Sequence, residues 1–73
     1  MDETERKKLI ILLNYWTEHN KEHSEEFEQW AEKSRNLEEE SICDDLLAAA
    51  KYMNEASARL AQALYKLKGT LPE

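Results

Sequence analysis

Seventy-three residues, a net charge of −6 and a single cysteine describe one small acidic domain that no internal disulfide staples. The charge disfavours nucleic acid, whose phosphates it repels, and anionic membrane surfaces. A chain this short buries only about 60% of its unfolded surface, so its core is marginal unless a second subunit joins it.

Near the N-terminus, "RKKLIILL" imitates a signal peptide. Its apolar run, Leu9 to Leu13, falls short of the ~7–15 residues of a signal core and of the ~20 that span a bilayer. With the lone cysteine, this leads to the expectation of a soluble, cytoplasmic protein. The run instead opens a helix predicted over about 3–35, started by Asp2 with Glu5 in a capping box. One series steps alternately by four and three: Leu9, Leu13, Trp16, Asn20, His23, Phe27, Trp30, Ser34, Leu37. That is the spacing of a helix-packing seam. Trp16, Phe27 and Trp30, with Tyr15 beside them, read as core.

Lys33 and Arg35 suit the end of this helix, and Asn36 is the residue expected to take the left-handed conformation that terminates it. A turn over about 36–40 follows, and a second helix is predicted over about 41–68. Its series is Ile42, Leu46, Ala49, Met53, Ala56, Leu60, Ala63, Leu67. Lys66, Lys68 and Gly69 close it, and 69–73 form a short tail.

The fold class is therefore all-α: an antiparallel two-helix hairpin, since a short connection forces that direction. Partner numbers are expected to sum to about 77. This sets Trp30 near Leu46 and Leu47, Phe27 near Ala50, His23 near Met53 and Asn54, and Trp16 near Ala61, with large side chains facing small ones. Leu12, Leu47, Ala50, Leu64 and Tyr65 widen the apolar stripes. The hairpin is expected to form a homodimeric four-helix bundle or to accept a partner helical protein. The alternative is a break at "HNKEHS", where Asn20 and Ser24 are poor helix formers, giving a three-helix monomer.

His19 and His23, one turn apart, can aim two imidazole nitrogens at one transition metal. The zinc-protease order H-E-x-x-H is absent. Glu18, Glu22 and Glu26 line an adjacent stripe, so the candidate metal set is His19, His23 and Glu22. Asn20, Glu26, Asn54 and Cys43 are further ligand or hydrogen-bond candidates, as is Glu55 or a symmetry mate. Imidazole with carboxylate suits nickel, zinc or cobalt. The competing reading makes the histidines structural: Asn20 and His23 fix register, with His23 hydrogen-bonded to Asn54 or Asn20. Cys43 reads as a small buried hydrophobe off the main seam. No nucleophile triad, phosphate loop or paired carboxylate is present, and a bundle of this size has little room for a substrate pocket. An enzyme is not expected.

The stretches "YWTEHNKEHSEEFEQWAEK" and "AAAKYMNEASARLAQALYKL" resemble a family of small uncharacterised bacterial and archaeal helical domains. Its pattern is roughly His-Trp-x-x-His-Asn-x-x-His, then Phe and Trp-Ala. Trp16, His19, Asn20, His23, Phe27, Trp30 and Ala31 fit it, whereas Tyr15 stands where the first histidine would be. The likeness runs from about Leu9 to Leu67 and implies a helical domain associated with nickel or related metals. Two functions follow: a non-catalytic domain binding a divalent transition metal through the histidine pair, or an interaction and oligomerisation module in which the pair is structural.

Overall fold

A computed structural model describes residues 1–69; the expected tail beyond Gly69 lies outside the described residues. Two helices, α1 (Glu3–Asn36) and α2 (Glu40–Gly69), pack against each other as a hairpin. Asp2 caps α1, its carboxylate accepting from the Glu5 N–H at 2.8 Å, which satisfies one orphan donor of the first turn. From there α1 runs unbroken through "HNKEHS", so the three-helix alternative does not form. At 1.5 Å per residue its 34 residues span ~51 Å, and the molecule is 54 Å long and 17 by 14 Å across.

The turn ends α1 by a Schellman motif. The Glu39 N–H bonds to the Ser34 carbonyl and the Glu38 N–H to that of Arg35, both at 2.9 Å, which is the paired pattern that satisfies the last carbonyls of a helix. The left-handed residue is Glu38 (φ 62°), not Asn36, which is the last residue of α1. Sequence reading chose Asn36 because Asn tolerates that conformation; Asn36 instead stays helical and the left-handed residue falls two positions later.

The seam is rotated from the expected one. The most regular line of residues withdrawn from solvent runs Ile10, Leu13, Thr17, Asn20, Ser24, Phe27, Ala31 and Ser34 along α1 and Cys43, Leu46, Ala50, Met53, Ser57, Leu60, Leu64 and Leu67 along α2; Arg6, Leu9, Leu12 and His23 of α1 and Ala48 and Ala49 of α2 are half-buried beside it. Half of each series is as expected. The other half has moved by one residue, replacing Trp16, His23 and Trp30 with Thr17, Ser24 and Ala31, and Ile42, Ala49, Ala56 and Ala63 with Cys43, Ala50, Ser57 and Leu64. Trp16, Trp30 and Tyr15 are consequently not core: they are 39%, 59% and 58% exposed. Cys43, expected off the seam, lies in it and is fully buried.

Size explains the rotation. The chosen alternate positions are mostly Ala, Ser, Thr and Cys, which let two backbones approach closely along the whole contact, and close approach multiplies dispersion contacts. The proof of closeness is a side chain reaching a main chain across the seam: Ser24 Oγ donates to the Ala50 carbonyl at 3.3 Å. That bond also corrects the register, because 24 and 50 sum to 74, three short of the expected 77. The same sum sets Thr17 opposite Ser57 and Ala31 opposite Cys43. A seam of small side chains buries little. Leu13, Ala31, Cys43 and Ala50 are the buried apolar residues among those described, a thin core for a free-standing domain.

Candidate functional site

Rotating the seam turns the residues it rejects into a surface. Leu9, Trp16, His23, Trp30 and Leu37 recur at seven-residue steps along α1, just beside the seam. Ile42, Ala49, Ala56 and Ala63 occupy the matching flank of α2 on the same side of the hairpin. That the two flanks share a side is visible at the open end, where Leu9 and Ala63 line one apolar cleft with Met1, Leu13 and Leu67. At the turn end the strip finishes in Leu37, 75% exposed. Lys33 Nζ sits 4.1 Å from the centroid of the Trp30 ring, a cation–π contact that covers part of one indole face.

The histidines stand in the middle of this strip within a ladder of rings. Tyr15 stacks on His19 with centroids 5.4 Å apart, His19 meets His23 edge-on at 4.4 Å, and His23 stacks on Phe27 at 6.1 Å. Each step is four residues, so the ladder winds from exposed Tyr15 down to half-buried Phe27 at the seam. Ring packing from both ends limits the rotamers of the two imidazoles.

The Nε2 atoms of His19 and His23 are 3.0 Å apart. At that distance one Nε2 carries a proton and the other accepts it. His23 Nδ1 lies 3.9 Å from Glu26 Oε2. That is beyond hydrogen-bond distance, so Glu26 places a carboxylate near the ring edge away from His19 without fixing the tautomer. A metal replacing the shared proton would meet the same two atoms. For metal–nitrogen bonds of about 2.0–2.1 Å, two ligands at 90° are ~2.9 Å apart and two at the tetrahedral angle ~3.3–3.4 Å. The observed spacing is near the 90° bite of square-planar and octahedral sites.

The other candidates divide. Glu26 approaches the pair through His23 Nδ1. Glu22 is exposed and joined to neither ring; Asn20 is half-buried in the seam. Asn54 is exposed, and the partner of His23 is His19 rather than Asn54 or Asn20. Cys43 packs opposite Ala31, two turns from His23, beside the Arg35 side chain. The thiol and Glu32 hold the Arg35 guanidinium above its ordinary value. Among the described residues no group of three or more His, Cys, Asp or Glu side chains converges. A single chain therefore offers two imidazoles.

What sequence reading missed was the strip as a surface. The seven-residue recurrence was visible, but hydrophobicity alone assigns it to the core. The available signal was side-chain size along α1: there the neighbouring series, Thr17, Ser24 and Ala31, is the small one.

No helix among the described residues is long and apolar enough to cross a membrane. No curated protein and no solved structure shows significant similarity to the chain. A family model described as a domain of unknown function, DUF8180, matches residues 9–67, which include both helical stripes and the histidine pair, and the chain belongs to that family.

Proposed function

We propose that this domain is a non-catalytic self-association module and that the Leu9–Trp16–His23–Trp30–Leu37 strip is the surface on which a second copy docks. The observation that carries this reading is the exposure of both tryptophans on one continuous apolar face. Indole rings left in water forgo ~1.5–3 kcal/mol of burial each and mark contact surfaces.

Area and charge favour a second copy as the occupant. The accessible surface is 5,778 Å², whereas a compact monomer of 8.6 kDa exposes ~4,700 Å². The excess of ~1,000 Å² is comparable to the ~800 Å² that each partner buries in a standard interface. The chain carries −6 overall, yet basic side chains lie along the strip: Arg6 and Lys66 line the cleft at Leu9, and Lys33 sits over Trp30. Like copies meet there without the repulsion that the rest of the surface would impose.

Sedimentation equilibrium tests the proposal. The wild-type chain is expected to sediment as a dimer, and the double variant Trp16→Glu/Trp30→Glu as a monomer of unchanged helicity. A wild-type monomer at high micromolar concentration would rule the proposal out. A second reading, divalent metal binding by the chain, is favoured by the 3.0 Å approach of two Nε2 atoms.

A further inference from the structure

The two ends of the hairpin carry opposite charge. Around the turn, from Glu32 to Asp45, six acidic residues stand against two basic ones; at the open end, residues 1–8 and 59–69 hold three acidic and six basic. Residues 1–8 balance among themselves, with Glu3 4.0 Å from Arg6, so the basic surplus rests on Arg59, Lys66 and Lys68. Shape divides the same way. The turn presents an apolar knob, Leu37, 75% exposed and followed directly by Glu38, Glu39 and Glu40. The open end presents a cleft of about 600 Å³ lined by Met1, Leu9, Leu13, Ala63 and Leu67, with Arg6 and Lys66 among them. A leucine followed by three carboxylates suits an apolar cleft that carries two cations. The molecule is 54 Å long, so knob and cleft of one hairpin never meet. A second copy laid antiparallel brings them together.

The strip between the ends accepts that orientation. Read in either direction along α1 it is Leu, Trp, His, Trp, Leu, centred on His23. A two-fold interface is self-complementary: if residue i meets j of the partner, then j meets i. An axis crossing α1 at His23 sets Leu9 level with the partner's Leu37 and Trp16 level with the partner's Trp30. The register that places Ala50 across from Ser24 places Lys66 level with Lys8 and Leu9, where the partner's turn arrives. The other way to stack two such faces, with the axis along the helices, lays turn on turn and brings two acidic ends together. We infer that the associated form is a closed antiparallel dimer in which the Leu37–Glu40 turn of each copy docks in the cleft of the other, beside Arg6, Leu9 and Lys66. This rests on the self-association reading above and adds its orientation. Both turns and both clefts are then used, so the assembly stops at two copies.

Cross-linking tests the orientation. Leu37→Cys and Lys66→Cys, each in a Cys43→Ala background, are mixed at a concentration where sedimentation shows dimer and treated with a short bis-maleimide. The mixture is expected to give a covalent dimer and neither variant alone to do so, because the two-fold axis holds like positions such as Leu37 and its counterpart ~42 Å apart along the helices. Leu37→Cys linking to itself would place turn on turn and overturn the orientation while leaving self-association standing. A ladder of higher species from the mixture would overturn closure. A wild-type monomer in sedimentation would overturn both readings together. Charge reversal gives a separate measurement should a cysteine variant lose helicity. Glu38→Lys/Glu39→Lys and Arg6→Glu/Lys66→Glu are each expected to weaken the dimer by roughly tenfold or more, since each sets like charges together at both contacts. Their equimolar mixture is expected to restore it as a heterodimer, in which both contacts are again attractive. Dissociation constants equal to the wild type for the two variants alone would overturn the docking of turn into cleft.

Discussion

Ser24 on α1 donates its hydroxyl to the main-chain carbonyl of Ala50 on α2, 3.3 Å away and 26 residues distant in sequence. A side chain of two heavy atoms reaches an opposing backbone only when the helices lie close together. Substituting Ser24→Leu inserts bulk where the seam has none and is expected to cost about 1–3 kcal/mol by overpacking. Ser24→Ala keeps the spacing and loses one hydrogen bond, a cost of about 1 kcal/mol. For a domain of this size each kcal/mol moves Tm by about 4–8 °C, so thermal melts monitored by circular dichroism distinguish the two. A Ser24→Leu melt equal to the wild type would show that the small-residue seam does not set the packing.

How far this was legible follows from the same pair. The two helices, their antiparallel direction and the Asp2 cap are written in local chemistry: long runs of helix formers, a capping carboxylate, a short polar connection. The rotation of the seam is not local. Stripes through Trp16, His23 and Trp30 and through Thr17, Ser24 and Ala31 share Leu13, Asn20, Phe27 and Ser34, and both step by four and three. Hydrophobicity favours the first and close approach the second, and which prevails depends on what α2 presents opposite. Cys43, Ala50 and Ser57 answer the small series, and only the assembled pair shows it. The histidine pair, by contrast, was legible from spacing alone, because residues four apart on a helix meet whatever the seam does. Its lack of further ligands was not, since Asn54 and Cys43 are placed by the register.

Glu38 holds φ at 62°, a conformation in which a side chain with a Cβ is strained and glycine is not. The Schellman hydrogen bonds from Glu38 and Glu39 compel it. Glu38→Gly removes the strain while freeing the unfolded chain, and the balance at such a left-handed cap is expected to be a gain of about 0.5–1 kcal/mol. The substitution also removes one of three consecutive acidic residues, Glu38 to Glu40. Glu38→Ala separates the causes: it deletes the charge and keeps the strain. Equal stabilities for the two variants in urea titrations would refute the conformational account.

Ser57 sits in the α2 seam opposite Thr17, and its buried hydroxyl has no hydrogen-bond partner among the described residues. The Thr17 hydroxyl donates its proton to the Leu13 carbonyl at 2.8 Å and cannot donate to Ser57. A buried polar atom without a partner loses its solvation for nothing in return. Ser57→Ala removes that atom, preserves the small side chain the seam requires and raises helix propensity. The expected outcome is a stabilisation of about 1 kcal/mol, seen as a higher urea midpoint at constant slope. A lower midpoint would mean that the hydroxyl is satisfied in solution.

The tryptophans report on association directly. Within one hairpin Trp30 is 59% exposed and Trp16 39%, so a monomer emits at the long wavelength of hydrated indole. If the copies meet on this strip as proposed, both indoles leave water. The emission maximum is therefore expected to shift to shorter wavelength as concentration rises, with the midpoint matching the dissociation constant from sedimentation. Trp16→Phe and Trp30→Phe, each leaving one reporter, are expected to shift over the same range, because the proposed interface covers both indoles. Leu37→Asp should move that range to higher concentration, since it puts a charge at the exposed end of the proposed surface, while Ile11→Asp on the opposite flank should leave it in place. If Leu37→Asp and Ile11→Asp act alike, the apolar strip is not the surface on which the copies meet.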